Sequence, residues 1–179
     1  DGGVLTNQAS HHLDLLQWMM GEVESVYARG TQALADIETE DTAAVILKFK
    51  NGSIGMIEAT TAIRPKDLEG SISILGEKGS VEIGGFAVNK LLHWNFNEEI
   101  SEDTQVLENF SENPPNVYGF GHKAYYQHVV DCILNQRPHL VDGSEGRKSL
   151  AILTAIYESI ETQKEISLGS KIAKCRLGL

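Results

Sequence analysis

Apolar residues near the start of the chain recur at helical spacing: Leu13, Leu16 and Met20, with Leu15, Trp18 and Met19 beside them and Gly21 behind them as a stop. That spacing predicts a helix over Thr6 to Met20. Beyond it the period changes to two. Val45, Leu47 and Phe49 alternate with Ile46, Lys48 and Lys50, and Ile72 and Ile74 alternate with Ser71, Ser73 and Leu75; strands with one buried face read this way. Asn51-Gly52, between Lys50 and Ser53, predicts a type I′ hairpin turn. Gly76-Glu77-Lys78-Gly79 predicts a second tight connection. Val23 to Phe96 therefore reads as a meander of about five or six strands.

Residues 97–117 hold acids, Asn, Ser and the pair Pro114-Pro115 with little periodicity, and read as a long surface loop. Helical spacing returns over Phe120 to Asn135, through Ala124, Val130, Ile133 and Leu134. It returns again over Glu145 to Gln163, through Leu150, Leu153, Ile156, Tyr157 and Ile160, with Asp142 or Ser144 as cap. Strands in one block with helices at both ends predict an α+β fold: a largely antiparallel, open-faced sheet with helices packed on one face. The uncovered face is expected to pair with a second copy in a homodimer or homotetramer.

Composition narrows the classes. With 179 residues, 41% of them hydrophobic and 22% charged, the chain should fold around one core and bury about 70% of its unfolded surface. A formal net charge of -10 sets aside nucleic acid and anionic membranes as partners. No apolar run approaches the roughly 20 residues that span a bilayer. Cys132 and Cys175 are too few for a disulfide framework, which suits a reducing, cytoplasmic setting. The opening Asp1-Gly2-Gly3-Val4 has neither an initiating Met nor a basic leader, and reads as a piece of a longer chain.

The densest polar cluster is Asn7, Gln8, His11, His12 and Asp14, on or just before the first helix. Spacings of four and three place Asn7, His11 and Asp14 on one face. A His passes a proton at neutral pH, and a neighbouring carboxylate or amide can fix its tautomer. The same histidines would equally serve to cap or pack the helix start. A metal is not expected, because His-His-x-Asp offers too few ligands and no second cluster completes a shell. Gly119-Phe120-Gly121-His122-Lys123-Ala124 matches G-x-G-x-x-A, but Asn113-Pro114-Pro115 before it rules out the buried strand a dinucleotide site requires. Tyr118, His122 and Tyr125 suit a sugar or phosphate lining, or a buried aromatic patch. Arg64 and Lys66, flanking Pro65, suit an anionic ligand, or a solvated loop tip.

Gly2-Gly3-Val4-Leu5-Thr6-Asn7-Gln8-Ala9-Ser10-His11-His12-Leu13-Asp14, followed by Leu15-Leu16-Gln17-Trp18, resembles the opening of the C-terminal domain of Gfo/Idh/MocA oxidoreductases. Phe49-Lys50-Asn51-Gly52-Ser53, Gly76-Glu77-Lys78-Gly79-Ser80-Val81 and Asp142-Gly143-Ser144-Glu145-Gly146-Arg147-Lys148-Ser149 resemble its later landmarks, so the likeness runs over residues 1–168. Ala62 to Gly70 and Asn113 to His122 resemble the nucleotide-sugar branch. The resemblance implies a substrate-binding and oligomerisation domain at 1–168, a tail of unassigned role at 169–179, and NAD bound mainly by an N-terminal Rossmann domain that also carries the family's catalytic Lys. It implies oxidation of the C3 hydroxyl of a UDP-N-acetylglucosaminuronate to the 3-keto sugar. His11 would be the pocket histidine. Asn7 stands where many members carry Asp, and its amide would position the sugar; Gln8, Arg64, Lys66, Tyr118 and His122 would contact substrate. The alternatives are a relative acting on a free sugar or inositol, and a non-catalytic binding or assembly module.

Overall fold

The structure is a computed structural model and describes residues 2–66, 68, 70–85, 88–98, 103–114, 116 and 119–169. It falls into two compact units, Asp1–Asp67 with Val141–Leu179, and Leu68–Leu140.

The first unit holds a four-stranded antiparallel sheet of order β3-β2-β1-β7, built from β1 (Val23–Thr31), β2 (Thr42–Phe49), β3 (Ile54–Thr60) and β7 (Ile166–Ser167). Alternation along β2 is strict: Ala43, Val45, Leu47 and Phe49 are buried while Ala44, Ile46 and Lys48 are exposed. In β1 a register shift between Val23 and Ser25 turns both Ser25 and Val26 inward, the local effect of a bulge. Helices α1 (Val4–Asn7), α2 (Ser10–Met20) and α5 (Gly143–Thr162) cover the inner face. Their contribution to the core is Val4, Leu5, Ala9 and Leu13 from the first two, and Ile152, Leu153, Ala155, Ile156 and Tyr157 from α5.

The second unit holds a separate three-stranded antiparallel sheet, β4 (Ile72–Leu75), β5 (Gly79–Gly84) and β6 (Lys90–Phe96), with α3 (Asp103–Asn109) and α4 (Gly121–Leu134). The α+β class, antiparallel pairing and one-sided helix cover of the main sheet agree with the pattern of the sequence. The single run of strands does not persist: it divides between Thr60 and Ile72, where Pro65 and Gly70 interrupt the alternation.

Local differences have local causes. The first helix begins earlier than its periodicity suggests and breaks after Asn7. The Val4 carbonyl accepts from both Gln8 N–H (3.0 Å) and Ala9 N–H (2.9 Å), a widened turn of the kind that interrupts α-helices. The Asn51-Gly52 hairpin is not type I′. Only Gly52 is at positive φ (90°), Gly52 N–H donates to Phe49 O and Phe49 N–H to Ser53 O, which is a type I turn closed by a glycine bulge. Asn51 spends its amide elsewhere, accepting from Ser53 N–H (3.0 Å) and donating to Met20 O (3.0 Å) at the end of α2. Within the supposed loop 97–117, α3 forms and Phe110 O accepts from Leu91 N–H at β6. A helix this short shows too little periodicity to be read. The cap of α5 is Asp142, which accepts from Ser144 N–H (2.8 Å) and Glu145 N–H (3.1 Å). Gln163 ends the helix in the left-handed region (φ 59°).

Candidate functional site

Asn7 ends α1 and His11 lies in the first turn of α2, so the widened turn at Gln8 and Ala9 separates them and a single regular helix face does not join them. Asn7, Gln8 and His11 are all exposed. Ser10 Oγ donates to the Asn7 carbonyl (3.2 Å) across the turn. Among the described residues the His11 ring makes no hydrogen bond. Asp14, one turn further along α2, accepts from Ser149 Oγ of α5 rather than bonding His11; the carboxylate docks helix on helix. His12 behaves differently from its neighbour. Its Nε2 is buried without a partner. Burial pulls its pKa below the ordinary 6.5, the bond to the Gln8 backbone works in the opposite direction, and nearby His11 adds to the lowering.

Arg64 and Lys66 follow β3 in the same unit and are exposed. Arg64 Nη1 donates to the carbonyls of Thr61 (3.1 Å) and Ile63 (2.6 Å), which folds the guanidinium back on its own loop. Backbone bonds tie this loop to the helix start. Thr61 N–H donates to Asp41 O (2.8 Å) and Val4 N–H to the adjoining Glu40 O (3.0 Å). The start of α1 and the loop leaving β3 thus meet at one end of the main sheet, where β2 begins and β3 ends.

Two acids at that end carry no sequence signal beyond their adjacency, yet both are buried, Glu40 at 6% and Asp41 at 1% exposure. Asp41 accepts from Ala33 N–H (2.7 Å), Leu34 N–H (2.8 Å) and Ala35 N–H (2.7 Å) and from Thr42 Oγ1 (3.0 Å). Those backbone donors, Ala35 first, hold its carboxyl far below the ordinary carboxylate range. Glu40 bonds Leu5 N–H and the Tyr157 hydroxyl.

His122 opens α4 in the second unit and is exposed; Tyr118 lies outside the described residues. The G-x-G-x-x-A run enters α4 with α3, not a strand, as the described element before it. Nearby, Asn89, Asn109, Phe110, Glu112 and Phe120 line an open cavity of about 190 Å³, which the sequence did not announce. Among the described residues no group of three or more His, Cys, Asp or Glu could hold a metal ion, and no helix is long and apolar enough to cross a membrane.

The chain resembles several known proteins. A dehydrogenase, WlbA, from Bordetella pertussis, solved in complex with NADH and UDP-GlcNAcA, is 44% identical, with a TM-score of 0.87 over 96% of this chain and 49% of its own. The corresponding Chromobacterium violaceum enzyme, solved with the same ligands, is 43% identical, with a TM-score of 0.85 over 96% of this chain and 47% of its own. Myo-inositol 2-dehydrogenase of Thermotoga maritima is 28% identical over 93% of this chain and 49% of its own length. The chain therefore spans about half the length of these relatives. The family described as "Oxidoreductase family, C-terminal alpha/beta domain" matches residues 1–168, and with a match of that extent this chain belongs to the Gfo/Idh/MocA oxidoreductases as their C-terminal domain.

Proposed function

We propose that the chain is the substrate-binding half of an NAD-dependent dehydrogenase that oxidises the C3 hydroxyl of a UDP-N-acetylglucosaminuronate. The observation that carries this reading is the 44% identity, over 96% of the chain, to a structure holding NADH and UDP-GlcNAcA. An exposed His11 beside the Asn7–Gln8 turn supports it.

Oxidising a secondary alcohol takes a hydride from carbon and a proton from oxygen. NAD would supply the hydride acceptor. The described strands of this chain are all paired antiparallel, so they form no doubly-wound dinucleotide crevice, and NAD would be held mainly by an N-terminal Rossmann domain. What the chain contributes is the proton side. His11 takes the hydroxyl proton, with its ring carried on α2, whose Leu13 is packed in the core. The amides of Asn7 and Gln8 hold the sugar hydroxyls, and Arg64 and Lys66 meet the pyrophosphate as cations. Residues 1–168 form the substrate-binding and oligomerisation domain, and 169–179 stay without a role. By itself the chain turns over no substrate. A cytoplasmic setting suits Cys132, a buried free thiol.

The open face of the main sheet is the oligomer contact, in a homodimer or homotetramer. Ile54 and Met56 stand 71% and 80% exposed there, with Ile46 opposite Met56 in the register, an apolar surface that water disfavours.

Reduction of NAD by the protein carrying this domain, assayed with UDP-GlcNAcA, myo-inositol and free sugars, tests the reading. Turnover confined to the nucleotide sugar supports it, and His11→Ala should then cost about 10²-fold. Preference for inositol would transfer the chain to the other branch. No turnover with any of them would leave a binding or assembly module.

A further inference from the structure

Glu40 stands two residues before β2 as a buried carboxylate, and among the described residues no cation pairs with it. Its partners are two backbone groups at the start of α1 and one hydroxyl from α5. Its carbonyl accepts from Val4 N–H (3.0 Å), and its Oε1 accepts from Leu5 N–H (3.0 Å) and from the Tyr157 hydroxyl (2.9 Å). Tyr157, in α5, in turn lies against Gly3 N–H (3.3 Å) and Thr6 Oγ1 (2.9 Å). One hydroxyl thus donates once and accepts twice, its full capacity. Burial pushes its pKa up to about 12, so it stays a donor at any working pH.

The first N–H groups of a helix have no internal partner, and here Gly3, Val4 and Leu5 give theirs to Tyr157 and Glu40. A helix of four residues cannot hold itself in place. From Val4 the constraint passes on. Its carbonyl takes Gln8 N–H and Ala9 N–H, and the Ala9 carbonyl takes Leu13 N–H (2.9 Å), so the turn between Asn7 and His11 hangs from Glu40. Gly3 belongs to the same fit, because a Cβ there would lie 2.2 Å from Glu40 O and 2.3 Å from its carboxyl carbon.

We infer that Glu40 and Tyr157 are positioning residues that set Asn7 and His11 for proton transfer; this rests on the proposed function. They touch no substrate and act through the backbone of Gly3 to Ala9.

The test is a double-mutant cycle in the enzyme that carries this domain, with Tyr157→Phe, His11→Ala and the pair. Tyr157→Phe keeps the buried ring and removes the hydroxyl. Expected is a kcat loss of about 10²-fold per folded enzyme, with KM for NAD unchanged and a displaced pH profile. In the His11→Ala background the same change should cost almost nothing, because its target is gone. Glu40→Gln, which keeps one acceptor oxygen, should recover part of what Glu40→Ala loses. Equal losses in both backgrounds, or lower stability with normal kcat per folded molecule, would overturn the inference. Should the unmodified enzyme oxidise no nucleotide sugar, the proposed function fails on its own. The inference is then read from the His11 ring resonances: an altered titration in Tyr157→Phe upholds the coupling, an unaltered one ends it.

Discussion

Ser159 in α5 takes the place of a missing strand for Ala28 in β1. Its Oγ accepts Ala28 N–H (2.9 Å) and donates to Lys164 O (2.6 Å), and the side chain is fully buried. The need arises because β7 pairs only with Ser25 and Val26, so Ala28, which faces Val45 of β2 on its other side, has no strand beside it on this edge. Ser159→Ala would strand the buried Ala28 N–H, at about 1–3 kcal/mol. A urea midpoint unmoved by the substitution would show that this hydroxyl adds nothing.

Asp41 should dominate the acid end of the stability curve. Its folded pKa is depressed below the ordinary 3.8, so the stability it adds is complete above that value and drains away as pH falls towards the lower folded one. Asp41→Asn keeps one acceptor and turns an N–H₂ towards backbone donors. Thermal unfolding should find the variant less stable from neutral pH down to about 5, with the gap closing below the ordinary carboxylate pKa. A gap independent of pH would contradict the ionised carboxylate.

His12 acts in the same sense at milder pH. Burial favours its neutral ring in the folded state. The unfolded chain therefore binds a proton first as pH falls through 6.5, and stability drops below that point. His12→Gln should flatten the melting temperature between about pH 7.5 and 5.5. An identical slope in both proteins would remove His12 as its source.

On the open sheet face, Met56→Glu should leave folding within about 0.5 kcal/mol, since the side chain points to water. It should, however, lower the mass seen by light scattering, because a charge would be desolvated at the proposed contact. Retention of the parent mass would move the contact elsewhere.

Gly3→Ala is the most damaging small change expected. The added methyl collides with the Glu40 backbone, which is held by Val4, rather than with a free side-chain end. The cost should exceed the roughly 1–3 kcal/mol of ordinary overpacking, read as a loss of melting temperature. A neutral outcome would mean that the α1 start can shift.

Much of the molecule was open to reading in one dimension. The strict alternation of β2, the helical spacing of α4 and α5, the glycine turns and the cap at Asp142 follow from local rules of period and backbone freedom. So does the placing of Asn7 and His11 on a helical opening. The Asn51-Gly52 turn departs from type I′ because Asn51 bonds Ser53 and Met20, and the Met20 carbonyl is distant along the chain.

Period and composition by themselves determined that this chain folds as an α+β domain with antiparallel strands, and the run from Gly2 to Trp18 marked its family. Tertiary structure alone decided what holds the candidate site. Glu40 lies 35 residues from Leu5 and 117 from Tyr157, and no window on the chain shows that an acid before a strand will cap a helix under a tyrosine of another. Hydrogen bonds between buried groups are fixed by where the core brings them, and that is known only once the sheet and the helices have closed on each other.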